Sequence, residues 1–474
     1  MKLYVKDYPD AIYVYGRPEV CAAVCRDLQR LGLSYTEVGN SPEKVAGLAL
    51  GEGDKLVIAL GPEDMFGKIR NELAEKQEGL RSHIWRDIEF FSELLTHAQV
   101  EDVPLCPEPD RSVAVGMNID FVLGGAETWA TQLFYALKKE LTPQGVSVQM
   151  WEPRQRSGYL YVGREFYGIA AEDVIQFGMF DGFLDYTLAV LEQLTRQQPP
   201  LLYFDNGSMH MLSAFFLAKK YLGLKTRIIS VLHGDVSIFL DRVTRCQEVI
   251  DNFVAVSDDI AEHLCQRLPH REQDISVYLQ LPPEHPESLE KKSGTGLRIA
   301  YAARLEAGNK RCLWLLDVMD ALAAAGVNFE LFIAGNGECY EPLKEHIQAQ
   351  NLESRVHLLG KLPHEEMDTF YADKHVFINF SVSEGGPLTL FESLSHGVVP
   401  VVTEAGCAKR FIREGENGFI IDSPAATAEV LRKLAGNLDT CRTLAERALE
   451  GYLTQRREME GKITAWLSES GLIE

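Results

Sequence analysis

Two carboxylates, Glu384 and Glu392, stand eight positions apart on either side of a glycine turn and a helix start: Gly385, Gly386 and Pro387, then Leu388 and Thr389. The preceding run Val376–Phe380 is short, apolar and strand-like, and proline suits the first turn of a helix because its missing N–H needs no partner there. The turn therefore lies at the carboxyl end of a strand. Glu392 falls just over one turn inside the helix, roughly 6 Å along the axis from Leu388 and on the same face, while Glu384 stays in the loop. The N–H groups of Gly386, Leu388 and Thr389 point out of the helix start, where the macrodipole favours anions. A diphosphate fits between two such acids, and the chemistry suggested is the clasping of a sugar nucleotide.

The elements that must position this turn come from alternating patterns. Residues 1–100 hold the strand-like runs Ala11–Tyr15 and Lys55–Leu60, each followed by a helix, the second after Gly61-Pro62. No Gly-x-Gly-x-x-Gly follows the first, so a docking or scaffolding role is expected there before a dinucleotide role. Residues 101–110, with three prolines and four acids, read as a linker. From Arg111 strand candidates recur at Ser112–Met117, Leu201–Asp205, Arg227–His233 and Asn252–Val256. After a second boundary near Leu281–Pro286 they restart at Leu297–Ala302, Phe329–Ala334, Val356–Leu359, Val376–Phe380, Pro400–Val402 and Gly418–Ile421. Such alternation predicts an α/β protein with parallel sheets covered by helices on both faces. Ligands then gather outside the carboxyl ends of the strands.

The 474 residues exceed one ordinary core. A formal charge of -22 with no Lys/Arg block excludes an electrostatic nucleic-acid binder and disfavours anionic lipid. Membrane contact, if the acceptor is lipid-borne, must use a local patch. Nine scattered cysteines argue against a disulfide framework or zinc site. No leader-like core follows Met1 and no run is long enough to span a bilayer, so a cytoplasmic location is expected, with peripheral contact at the inner face of the membrane left open. No Asp-x-Asp occurs and no His pair has helical ligand spacing, so the leaving diphosphate is expected to be met by cationic side chains, without a metal or other cofactor.

The turn at 383–392, with its continuation Ser393–Val402 and Glu416–Phe419, resembles the C-terminal signature of retaining glycosyltransferases of family 4. The resemblance covers about residues 111–470 and is strongest from 297 to 422. It implies a GT-B architecture of two facing doubly wound domains, 111–285 on the acceptor side and 286–454 on the donor side. Residues 455–474 would form a helix crossing back, and residues 1–100 an accessory α/β domain that can dock a protein partner. It also implies a UDP-sugar or GDP-sugar donor and a glycan, lipid-linked or protein acceptor, most plainly in cell-surface polysaccharide assembly.

Residue by residue, the resemblance makes Arg304 and Lys310 the diphosphate clamp, the first through its planar fork and the second as a point charge. Arg311 stands beside Lys310 as an alternative. Glu392 would accept from the ribose hydroxyls and Glu384 would hold the transferred sugar. Thr389 either adds a hydroxyl to the phosphate site or bonds its own helix start. Gly335, in Ile333–Glu338, matches the turn beside the nucleotide, and Lys361 follows the strand whose end flanks the base. In the other domain Gly124, Gly125 and Glu127 match a Gly-Gly-Ala-Glu loop facing phosphate or acceptor, and His233 matches a histidine set beside the donor sugar. Ser257 is expected only to line the cleft. Two departures stand out. Lys409 and Arg410 lie where relatives commonly carry an acid, and no Pro-Asn-Gly turn follows Ser276–Leu279.

Overall fold

The computed structural model describes residues 2–473 apart from 7, 9, 60–65, 76–79, 103, 118–124, 154–162, 179, 181, 235–236 and 291–295. Gly124, the Gly61-Pro62 turn and most of the Lys291–Gly296 tract therefore lie outside the described residues. The chain divides into two compact units. The first takes Met1–Ala255, Ala261–Ser276 and Leu467–Glu474, and the second takes Val256–Ile260 and Val277–Trp466.

The second unit is built on a six-stranded parallel sheet whose core is aliphatic on both faces, as buried parallel strands require. Across it lie Val356–Gly360, Phe329–Ala334, Leu297–Ala302, Val376–Asn379, Val399–Val402 and Phe419–Ile420. Numbered within the unit the order is 3-2-1-4-5-6, the doubly wound arrangement, in which the chain reverses direction between strands 1 and 4. All six strands were legible from apolar runs of three to six residues, and their ends shift by at most one position.

The first unit carries a seven-stranded sheet in the order Ile275–Val277, Asn252–Ala255, Arg227–Leu232, Pro200–Asp205, Asp110–Gly116, Ser147–Pro153, Val174–Phe177. The reversal here falls between Asp110–Gly116 and Pro200–Asp205, which pair in parallel. Sequence patterning missed Ser147–Pro153 and Val174–Phe177 because polar residues interrupt them. Two of those residues meet across the ladder, Gln176 Nε2 donating to Oε2 of the buried Glu152 carboxylate at 2.5 Å.

Residues 1–100 form a smaller four-stranded sheet, Thr36–Gly39, Ile12–Tyr15, Lys55–Ile58 and Ile84–Arg86, all parallel. This layer shares the first unit. Phe91 stacks on Phe183 at 5.8 Å, and the buried Asp27 accepts from Leu184 N at 2.9 Å. Burial pushes the Asp27 carboxyl up to about 6. The proline-rich connection is shorter than 101–110, since Glu101 pairs with Lys2 in an antiparallel ribbon and Asp110 opens a strand. Cys106 N is anchored on Leu222 O at 2.8 Å. The last long helix runs Leu438–Glu469, and beyond it Leu472 O accepts from Arg111 in the first unit at 2.7 Å. Among the described residues no helix is long and apolar enough to cross a membrane, and all nine cysteines are free thiols.

Candidate functional site

In the second unit the loops that leave strands Leu297–Ala302 and Val376–Asn379 emerge side by side, because these strands are neighbours at the reversal point. Lys310 on the first loop and Glu384 on the second meet there, with Nζ 2.5 Å from Oε1. Both side chains are largely withdrawn from solvent, at 15 % and 14 % exposure. Ser381 Oγ donates to the same carboxylate oxygen at 2.5 Å. Asn309 sews the loops together, its Nδ2 donating to Ser383 O at 3.0 Å and its Oδ1 accepting from Ser383 N at 2.9 Å. Sequence reading missed Asn309 and Ser381. Their only signal was adjacency to the residues singled out.

Arg311 turns the other way, its guanidinium 4.9 Å from the centre of the Trp314 ring, so Lys310 is the cation that reaches Glu384. Arg304 is not brought to that pair. It is 73 % exposed and lies 3.3 Å from Glu306.

The helix after the turn spans Leu388–Ser395, with Pro387 as its N-cap residue, one position earlier than the sequence suggested. Helical bonding begins at Leu390 N, which donates to Pro387 O at 2.9 Å, so the N–H groups of Leu388 and Thr389 precede the first helical bond and face outward from the helix start. No side chain caps this end. Gly385 and Gly386 form the approach, and Gly406, at φ +58, packs so closely beneath them that a Cβ there would lie 2.9 Å from Glu384 O.

Gly335 holds the neighbouring loop in place. At φ +147 it lies against the backbone of the Arg304 loop, and a Cβ on it would come within 1.9 Å of Ala303 O. Gly335 N donates to Gly360 O at 2.7 Å, just before the exposed Lys361. Leu305 N donates to Asn336 O at 2.9 Å. Gly335→Ala is therefore expected to cost roughly 3 kcal/mol of stability, since both the conformation and the contact are closed to a side chain. Urea unfolding checks this, and a variant within about 0.5 kcal/mol of the parent would contradict the packing.

Glu392, in the second turn of the helix, is 9 % exposed. Burial, helped by the negative charge of Asp368, pushes its carboxyl up to about 8. It does not join the Lys310–Glu384 pair. The loop and the helix thus hold the two acids in different environments, Glu384 paired with a cation and Glu392 buried with a raised pKa.

The departure at 409–410 has a structural partner. Arg410 forks onto Asp258, Nη2 to Oδ1 at 2.5 Å and Nε to Oδ2 at 3.0 Å, so the basic residue serves an ion pair within this unit. Ser257, expected to line the cleft, is buried and accepts from Ile260 N at 3.3 Å, capping the next helix.

In the first unit His233 follows strand Arg227–Leu232. Its Nε2 lies 3.0 Å from Asn206 Oδ1, and Asn206 Nδ2 donates to Gly116 O at 2.8 Å. The amide orientation makes Asn206 an acceptor toward the imidazole, so Nε2 carries the proton and Nδ1 is the acceptor atom. The surrounding protein and the Arg242 charge hold His233 neutral, its pKa pushed down to about 3. The Trp129 ring meets it edge to face at 5.2 Å. Asn206 thus joins the ends of three strands at this unit's own reversal point, a role sequence reading did not assign. Gly125 opens the helix Gly125–Leu141 and is exposed. Glu127, by contrast, is buried at 5 % exposure, and burial raises its pKa. Trp129, Leu133 and Leu137 on the same helix are buried in the core.

Comparison with known proteins bears on the fold. The pneumococcal O-GlcNAc transferase GtfA, solved with UDP and GlcNAc, superposes with a TM-score of 0.59 at 15 % identity, covering 76 % of this chain and 99 % of that one. HepE of Anabaena, solved with UDP, gives 0.58 at 16 % identity over 76 % and 100 % of the two chains. The fold is GT-B. Within the GT-B chain, residues 285–450 match the family model described as glycosyl transferases group 1. The GtfA subunit of the UDP-N-acetylglucosamine–peptide N-acetylglucosaminyltransferase of Streptococcus pneumoniae is 26 % identical over 224 residues, 46 % of this chain and 44 % of the relative. The colanic acid biosynthesis glycosyltransferase WcaL of Salmonella typhimurium, assigned that role putatively, is 27 % identical over 175 residues, 35 % and 41 % of the two. The GT-B chain thus matches less than half the length of either relative.

Proposed function

We propose that this protein is a retaining, metal-independent glycosyltransferase that moves a sugar from a nucleotide-diphosphate donor to a glycan or glycoconjugate acceptor in surface polysaccharide assembly. The observation that carries the reading is the Lys310–Glu384 pair, set beside an uncapped helix start at the reversal point of a doubly wound sheet. A diphosphate seated there meets the Lys310 ammonium, the Leu388 and Thr389 amides and, from the exposed loop, the Arg304 guanidinium. These stabilise the charge that grows on the leaving phosphate. Glu384 holds the sugar hydroxyls and Glu392 the ribose. The bond from the anomeric carbon to the phosphate oxygen breaks, the bond to the acceptor oxygen forms on the same face, and the acceptor proton passes to the departing phosphate. Gly125 and Glu127 serve the acceptor side, and a neutral His233 contacts the transferred sugar through Nδ1. We infer a cytoplasmic location, with residues 1–100 as the surface for a protein partner.

UDP in the solved neighbours, and UDP-N-acetylglucosamine in a relative's name, favour a UDP-sugar. A thermal-shift panel of UDP-, GDP-, ADP- and TDP-sugars tests this, since a ligand that binds the native form raises its apparent stability. One base is expected to stand out, with slow release of the nucleoside diphosphate. Binding without release under any acceptor would instead mark a sugar-nucleotide-binding scaffold. Arg304→Ala is expected to raise the donor KM about tenfold while leaving the melting temperature unchanged, because its side chain makes only an exposed ion pair. Unchanged donor kinetics would remove it from the clamp. The likeness to GtfA supports a second reading with a protein acceptor. Mass spectrometry of co-expressed proteins separates the two.

A further inference from the structure

We propose that His285, Asp368 and His396 form a site for a divalent transition-metal ion of the zinc class, which fastens the segment entering the second unit to the helix that carries Glu392.

Three separate segments converge. His285 follows the Pro282-Pro283 pair, and its N–H donates to Ser395 O at 2.8 Å. Asp368 lies on the helix His364–Ala372. His396 ends the helix Leu388–Ser395, opposite the helix start that faces the diphosphate and roughly 12 Å away along the axis. The two imidazoles stack at 4.2 Å, 15° from parallel. Each Nε2 lies 3.6 Å from the same Asp368 oxygen, and one donor atom from each of the three side chains lies within 4.8 Å of the others.

That spacing is too long for a hydrogen bond. It is close to the separation of about 3.4 Å between two ligands of a tetrahedral ion bound at about 2.1 Å. The far side of each ring is already engaged. His285 Nδ1 lies 3.1 Å from the Glu287 carboxylate, and His396 Nδ1 lies 2.9 Å from Glu392 O. An acceptor on Nδ1 holds the ring proton there and leaves Nε2 as the nitrogen that can ligate, the outer-shell arrangement found at metal-binding histidines. The rings lie 15° from parallel, so binding one ion through both Nε2 atoms requires the partly exposed His285 ring to turn toward Asp368. Two imidazole nitrogens and one carboxylate oxygen suit zinc, cobalt or nickel far better than magnesium or calcium. Asp368 is 65 % exposed, which leaves an entry path and room for water as a fourth ligand.

No spacing pattern marks this site, because the ligands stand 83 and 28 positions apart and none forms a helical pair. The site takes no part in the transfer step, so its test is independent of the transferase reading. Full-length protein stripped with EDTA and desalted is titrated with zinc chloride against a chromophoric zinc chelator, with melting followed in parallel. One equivalent is expected to bind and to raise the melting temperature, while magnesium chloride leaves it unchanged. His285→Ala and Asp368→Asn, both at accessible positions, are expected to abolish binding. Glu287→Gln should weaken it about 10–100-fold, as loss of an outer-shell partner does. Absence of zinc binding, or binding unchanged in these variants, would overturn the proposal. Cobalt(II) absorption of the parent protein decides the matter even if a variant misfolds. Tetrahedral visible bands without a thiolate charge-transfer band are expected, and a strong thiolate band would assign the ion to cysteines instead.

Discussion

Lys310→Ala is expected to lower donor turnover by about 10²–10³-fold, the range seen when one preorganised donor to developing negative charge is removed. The side chain is well placed for so large an effect. The side chain is 15 % exposed, its ammonium contacts Glu384 at 2.5 Å, and its loop leaves a buried strand next to the one that leads to the helix start. Removing it also leaves a largely buried carboxylate with Ser381 as its remaining partner in the pair, so part of the loss is in the geometry of Glu384. Glu384→Gln is expected to abolish transfer with the fold intact, and the double variant should be far less impaired than the product of the two single effects. Steady-state kinetics with circular dichroism as a control would measure this. A Lys310→Ala enzyme within about threefold of the parent would refute the assignment.

Glu392 gives the second large effect, on stability against pH. Its carboxyl titrates near 8 in the folded protein and near 4.5 in an unfolded chain. Below about 4.5 both states are protonated and Glu392 costs nothing. As pH rises toward 8 the unfolded chain releases the proton while the folded protein keeps it, so stability falls, by on the order of 5 kcal/mol in all. Above 8 both states are ionised and the cost stays level. Glu392→Gln lacks this loss. Its melting temperature relative to the parent should therefore climb between pH 5 and pH 8, measured with EDTA present. A difference that stays constant with pH would show that the carboxyl is not desolvated. Donor binding is linked to the same proton, because an ionised carboxylate accepts from both ribose hydroxyls whereas a protonated one accepts less and donates instead.

Much of the second unit could be read directly from the chain. Its strands are uninterrupted apolar runs, such as Val376–Asn379 and Phe329–Ala334, and a parallel sheet buried on both faces leaves that signature. Strand order could not be read locally, yet strand order is what sets Lys310 beside Glu384 across 74 positions. Asn309 and Asn206 escaped notice for a related reason. Each works by bridging backbone of distant loops, and a lone asparagine after a strand carries no periodic signal. In the first unit, polar positions such as Glu152 and Gln176 broke the alternation of strands that satisfy those groups only across the ladder. Glu127 looked like a loop acid because of its motif, and only burial among neighbouring elements sets it apart.

The most direct test of the phosphate grip is a crystal structure with the nucleoside diphosphate that gives the largest thermal shift. The account predicts the diphosphate at the start of the helix Leu388–Ser395, with Lys310 Nζ and the Leu388 and Thr389 amides within hydrogen-bond reach of its oxygens. A nucleotide bound with its phosphates away from this turn, and Lys310 still paired to Glu384 alone, would contradict it.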